Sequence, residues 1–163
     1  MPIYYFGGPR KTVMAGLAQP PLHSIAIEDT PAHHQRLAEI DAGAVGVARE
    51  NHHRYLLNDP ATTCAMLFAG SECVGYTYIG SDGHIGPLAV TRAEVLGDAF
   101  TTALGLAADS SSESISAFLP GTCVSILPLA IRLGMRITLP MLLMASPGYG
   151  DWTLYLPRNP GFM

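Results

Sequence analysis

Charge is scarce in this chain. Lys and Arg number 9 and Asp and Glu 13 in 163 residues, so charged residues make up 13%, against roughly 25% in an average soluble domain. A single lysine, Lys11, with scattered arginines and a net charge of -4 provides no basic field for gripping a phosphate backbone, so nucleic acid is not expected as a partner. Long apolar runs are missing too. The most apolar region, SILPLAIRLGMRITLPMLLMA, is cut by Arg132, Arg136 and two prolines before it reaches the roughly 18 uninterrupted residues of a membrane span. The opening stretch, MPIYYFGGPRKTVMAG, has its positive charges after a short apolar patch rather than before a long one, which is not the pattern of a secretory signal. Cysteine is limited to Cys64, Cys73 and Cys123, an odd number that fits neither a disulfide framework nor a CxxC metal knuckle. A cytoplasmic location is the expectation.

Apolar residues, by contrast, reach 48%, and with so little charge some of that surface is expected in a ligand cleft or a homodimer interface. The length suits one domain. Residues 1–20, with three glycines, three prolines and no sustained period, read as an irregular arm that Tyr4, Tyr5 and Phe6 tether to the body or to a second subunit. Residues 21–163 then form the domain.

Periodicity orders its elements. LHSIAIE alternates as a strand; DTPAHHQRLAEIDAGAVG has an N-terminal cap, Pro31 in the first turn and a glycine stop, as a helix should; ARENHHRYLLND is a second short helix. TTCAMLFAG, CVGYTYIG and HIGPLAV follow at hairpin spacing and predict a three-stranded antiparallel meander. From Thr91 the period becomes helical, with Val95, Ala99 and Ala103 on one stripe. ISAFLP is a short strand, TCVSILPLAIRLG a helix kinked at Pro128, and ITLPMLLMAS and DWTLYLP are further strands.

The histidine pairs His33-His34 and His52-His53 invite a metal reading, but adjacent helical residues point about 100° apart and cannot chelate alone, so no metal is expected. Cys123 at a helix start reads either as a nucleophile or, with no histidine placed beside it, as a small core residue. Thr91-Arg92-Ala93-Glu94 has the pattern of a capping box, which would use up the N–H groups at the helix start.

HIGPLAVTRAEVLGDAFTTAL, and again SISAFLPGTCVSILPLAIRLGM, resemble the GNAT superfamily of N-acetyltransferases, in which an apolar strand enters a helix through a Q/R-x-x-G-x-G/A turn that holds the cofactor pyrophosphate. The resemblance covers about residues 22–145. It implies an α/β fold with a mixed, mostly antiparallel sheet flanked by helices, and two central strands that splay apart. It implies acyl-CoA-dependent transfer of an acetyl group to a primary amine, small or protein-borne, with acetyl-CoA as co-substrate. The pantetheine arm would lie in the splay, bonded to the backbone of Leu88, Ala89 and Val90, and Pro87 sits where such a break would begin. EVLGDA stands at the pyrophosphate turn, so Arg92, Gly97 and Ala99 are the further cofactor-binding residues; small residues let a phosphate approach a helix N-terminus. Phosphate turn and capping box compete for the same N–H groups. His84 stands near a catalytic carboxylate position of the family and is the candidate base, with Leu88 or Val90 N–H polarising the thioester carbonyl. Tyr78, on the same strand side as Tyr76, would line the acceptor cleft. Two departures, Cys123 for a helix-leading Asn and Ala130 for a catalytic Tyr, favour the alternative of a catalytically degenerate CoA-binding or assembly module.

Overall fold

Tight turns set the centre of the molecule. In the computed structural model, which describes residues 1–144 and 149–159, β3 (Thr62–Ala69), β4 (Glu72–Gly80) and β5 (His84–Val90) form the expected meander, with Gly70 at φ 63° and Gly83 at φ 77° in its two connections. Both lie in the left-handed region that a glycine adopts without a Cβ clash. The short strand β2 (His23–Ala26) pairs antiparallel with β3 and forms one edge of the sheet.

The other half of the sheet joins the first strand to two later ones. β6 (Ser114–Pro120) lies parallel to β5, and β1 (Pro2–Pro9) and β7 (Arg136–Leu142) complete the order β2-β3-β4-β5-β6-β1-β7. β8 (Tyr155–Leu156) pairs with β5 off this path, and every pairing other than β5–β6 is antiparallel. The fold is therefore a mixed, mostly antiparallel sheet with helices on both faces.

The irregular arm expected over residues 1–20 is corrected by this arrangement. Residues 2–9 are an inner strand between β6 and β7, and α1 (Arg10–Gly16) follows directly. The strand does alternate, with Tyr4 and Phe6 on the core that α4 covers and Tyr5 against His84 and Phe118 on the other side, but apolar residues occupy both sets of positions and no apolar–polar period marks it. Gly8 is needed for packing, since a Cβ there would lie 3.1 Å from the Met135 Cα.

On one face α4 (Leu96–Ala107) lays Ala99, Phe100, Ala103, Leu104 and Ala107 against the sheet at helical spacing. α1 and α5 (Leu127–Arg132) pack on the same core through Val13 and Ala130. Burying a side chain such as Phe100 contributes about 1.5–3 kcal/mol. Pro128 does not kink a longer helix as expected; it stands in the first turn of α5, where its missing N–H costs no hydrogen bond.

On the other face lie α2 (Pro31–Ala44) and α3 (Glu50–Leu57), packing Leu37, Ile40, Ala44 and Leu56 against Met66, Tyr76 and Tyr78. The Thr30 hydroxyl accepts from the His33 N–H at 3.3 Å, the cap the sequence called for. β7 ends at Leu142; Ala145 and Ser146, at the end of the strand expected there, lie outside the described residues. No helix among the described residues is long and apolar enough to cross a membrane.

Candidate functional site

β5 breaks where Pro87 predicted a break. Towards β4, Thr77 pairs with Leu88 and Ile79 with Ile85, so Gly86 and Pro87 oppose the single residue Tyr78. That is a β-bulge, a device that bends one strand away from its neighbour. On the other side β5 pairs with β6 only at His84 and Ile85, and the two strands then part.

The gap is filled by the chain itself. β8 pairs Leu156 with Leu88 and Tyr155 with Ala89, and the Val90 N–H donates to the Leu154 carbonyl at 2.9 Å. Three further bonds hold the approach to β8. The Asp151 N–H donates to the Ala44 carbonyl at 2.7 Å, and the Trp152 carbonyl accepts from the Cys123 thiol at 2.9 Å and the Thr122 hydroxyl at 3.1 Å. Gly86, at φ 144°, faces this segment so closely that a Cβ would stand 2.7 Å from the Pro157 carbonyl oxygen. Leu156 is fully buried and Tyr155 nearly so.

Beneath β8 lies a buried polar network, which sequence reasoning missed. The Asp41 carboxylate accepts from Arg49 through Nε and Nη2, each at 2.9 Å, from His53 Nε2 at 2.9 Å, and from the Tyr76 hydroxyl at 2.5 Å. Arg49 Nη1 donates to the Tyr155 hydroxyl at 2.6 Å, and its guanidinium stacks over the Tyr155 ring. His53 Nε2 donates to the carboxylate, and its Nδ1 stands in hydrogen-bond contact with the Tyr78 hydroxyl at 2.8 Å. Burial alone would push the Asp41 carboxyl up, but hydrogen bonds from His53 and Arg49 outweigh it and hold it at about 2. Burial pushes the Tyr155 phenol up to about 12 and raises that of Tyr78 as well. One sequence signal pointed here: Leu37, Ile40, Asp41 and Ala44 share one helical stripe, and a lone acid in an apolar stripe needs buried partners.

The other predicted site residues fall into three places. Tyr78 is inside the core and bonded to His53, not lining an open cleft. His84 stands at the start of β5, where Nδ1 meets the Ser116 hydroxyl at 2.9 Å and Nε2 donates to the Arg158 carbonyl at 2.6 Å. Burial lowers its pKa. A recess of about 280 Å³ lies beside it, lined by Tyr5, Asp82, His84, Phe118, Arg158 and Asn159. His84 and Tyr78 thus have separate partners. At the turn into α4, the Arg92 guanidinium donates to Glu72 at 2.7 Å, and Gly97 is half-buried with open space where a Cβ would stand. Ala99 is fully buried against the sheet, so its side chain does not reach the turn surface. The capping box is not formed either: the Thr91 hydroxyl donates to the Val74 carbonyl at 3.4 Å, and a 3₁₀ turn over Ala93–Val95 precedes the helix without a side-chain cap. Of the histidine pairs, His53 bonds into the network through both ring nitrogens, and among the described residues no group of three or more His, Cys, Asp or Glu is placed to hold a metal.

No protein-family model and no curated protein matches the sequence. Solved structures do match the fold. A proposed acetyltransferase from Pyrococcus horikoshii aligns over 94% of this chain and 48% of its own, with a TM-score of 0.61 and 17% identity. A conserved protein of unknown function from Staphylococcus epidermidis aligns over 85% of this chain and 58% of its own, with a TM-score of 0.61 and 10% identity. A GCN5-related N-acetyltransferase from Anabaena variabilis aligns over 85% of this chain and 38% of its own, with a TM-score of 0.50 and 11% identity. The chain spans about half the length of these structures, and the likeness is one of fold: the mixed, mostly antiparallel GNAT-like sheet flanked by helices that was expected from the sequence.

Proposed function

We propose that the chain is an acyl-CoA-dependent N-acyltransferase unit that transfers an acetyl group from acetyl-CoA to a primary amine. The observation that carries this reading is the parting of β5 from β6 after Ile85, which leaves the backbone of Leu88, Ala89 and Val90 as an edge able to bond an extended ligand arm. The GNAT-like fold of the matched structures supports the same reading. In it, Gly97 leaves room for the cofactor pyrophosphate at the start of α4, and Arg92, once released from Glu72, supplies a cation at that turn. The recess beside His84 receives the amine. With its pKa lowered by burial, His84 is neutral at neutral pH and able to accept a proton, and Tyr78 acts only through His53.

Isothermal titration with acetyl-CoA and CoA tests the first half: binding at millimolar ligand or below is expected, and none at that concentration rejects the reading. For His84, the acid limb of the rate profile is expected below the ordinary imidazole value, and His84→Ala is expected to remove it. A limb that survives the substitution assigns the base elsewhere.

A second reading has its own support. β8 lies in the splay, Arg92 is tied to Glu72, and Cys123 and Ala130 stand where the family resemblance expects Asn and Tyr. These favour a catalytically degenerate CoA-binding or assembly module, and tight CoA binding without transfer to a panel of amines would establish it. Either reading accommodates a cytoplasmic homodimer formed at β7, the outer strand of the sheet, where Ile137, Leu139 and Leu142 are exposed and no charged residue occurs from 137 to 150. A monomeric mass in light scattering would reject that assembly.

A further inference from the structure

The edge of β5 beyond Pro87 already behaves as a binding groove for an extended chain. It pairs with two residues in register, gives the Val90 N–H to the Leu154 carbonyl at 2.9 Å, and receives the Leu156 side chain in full burial. These are the elements of strand addition, in which backbone bonds supply affinity and pockets for alternate side chains supply selectivity.

The occupant is short, and bonds to Ala44, Cys123 and His84 anchor the chain on either side of it. β8 consists of only two residues. Its clamp is the Tyr155 hydroxyl on Arg49 Nη1, at 2.6 Å, and Arg49 is itself fixed by two bonds to Asp41. Were Tyr155 to leave, Arg49 would keep both bonds to Asp41 and its bond to the Tyr76 hydroxyl, so no buried charge would lose its counter-ion. Removal of this strand therefore avoids the large penalty that attends breaking a buried ion pair.

We propose that residues 154–156 are an intramolecular competitor for the acyl-CoA arm: the same β5 edge binds either β8 or the ligand, and the Arg49–Tyr155 contact sets the balance. The proposal rests on the acyl-CoA reading above and adds a regulation to it. Occupancy by β8 reduces the apparent affinity in proportion to the fraction of molecules with the edge open, so anything that draws the C-terminal segment away raises activity.

Hydrogen exchange on the full chain tests this, with CoA as the probe. Saturating CoA is expected to strip protection from the amides of residues 154–156 while the Val90 amide stays protected, because its acceptor passes from the Leu154 carbonyl to the ligand. Tyr155→Phe, which keeps the ring but loses the clamp, is expected to bind CoA about fivefold more tightly, and Leu156→Ala to shift affinity in the same direction. Binding of CoA that leaves residues 154–156 protected, with equal affinity in wild type and Tyr155→Phe, overturns the competition but leaves the acyl-CoA reading intact. No binding by wild type or by either variant, each shown to be folded by circular dichroism, overturns both. Binding by the variants alone is the strongest support.

Discussion

On the face that carries α1, α4 and α5 the buried polar side chains Thr77 and Thr102 are neutral hydroxyls, whereas on the face that carries α2 and α3 the core closes around Asp41, Arg49 and His53. Both faces exclude water, but they do so by different physics. The apolar face gains from area removed from water, a term that is non-directional and tolerant of small shifts. The polar face depends on directed bonds, each of which fails if its partner moves. The difference teaches where selectivity in this fold resides: the apolar face would hold the sheet together with many sequences, while the polar one ties two helices, β4 and β8 into a single arrangement. Burying an ion pair is weak evidence of net stability. Here it fixes which segment lies on β5.

The sharpest way to break this comparison is to remove one group from each face. Asp41→Asn leaves the Arg49 guanidinium buried without its counter-ion and is expected to cost about 3–5 kcal/mol in chemical denaturation. Leu104→Ala, on the opposite face, leaves a cavity and is expected to cost about 2–5 kcal/mol. Similar magnitudes would hide distinct causes, and pH separates them. The folded Asp41 carboxyl is held at about 2, below the ordinary value of 3.8, so its contribution is fully present above about pH 4 and is lost as pH falls towards 2. That loss is worth about 2 kcal/mol. The gap between wild type and Asp41→Asn should therefore narrow from pH 5 to pH 2, while the Leu104→Ala gap stays constant. Parallel curves for both variants would show that the network does not act through the Asp41 charge.

A milder probe acts on β8 alone. Tyr155→Phe deletes one hydroxyl and is expected to cost about 1.5 kcal/mol, the lower end for a hydrogen bond with a charged partner. A loss above about 3 kcal/mol would mean that β8 is integral to folding and not a displaceable strand.

The same contrast explains which features could be read from the chain. The apolar stripe of α4 and the meander over residues 62–90 are local patterns, visible because one face of each element is buried and the period survives in the sequence. β1 was not visible, because an inner strand with apolar residues toward both faces and two adjacent glycines shows no apolar–polar alternation. The break at Pro87 was legible from a single residue, since a central strand has few ways to contain a proline. The occupant of that break was not. Nothing in DWTLYLP states that it will lie on Leu88 and Ala89, because non-local strand pairing leaves no periodic mark on either partner. Asp41, Arg49, His53 and Tyr155 are likewise 8 to 106 residues apart in the bonds that join them to Arg49 and Asp41, and only the acid in the α2 stripe hinted at the network.

The smallest expected effect bears on the turn at the start of α4, where the sequence left a capping box and a phosphate turn in competition. The capping box is absent, and Gly97 is the second residue of α4 with nothing within 4 Å of a Cβ. Glycine lowers stability by about 0.5–1 kcal/mol relative to alanine in a helix interior, and the first turn carries up to that cost. Gly97→Ala is therefore expected to raise the midpoint of thermal unfolding by a few degrees. Under the acyl-CoA reading the added methyl stands where the pyrophosphate approaches, so the same substitution should weaken CoA binding while it stabilises the fold. If Gly97→Ala stabilises and leaves CoA affinity unchanged, the glycine is an ordinary helix residue and the phosphate turn lies elsewhere. A destabilising outcome would mean that the open space beside Gly97 is needed by the fold itself.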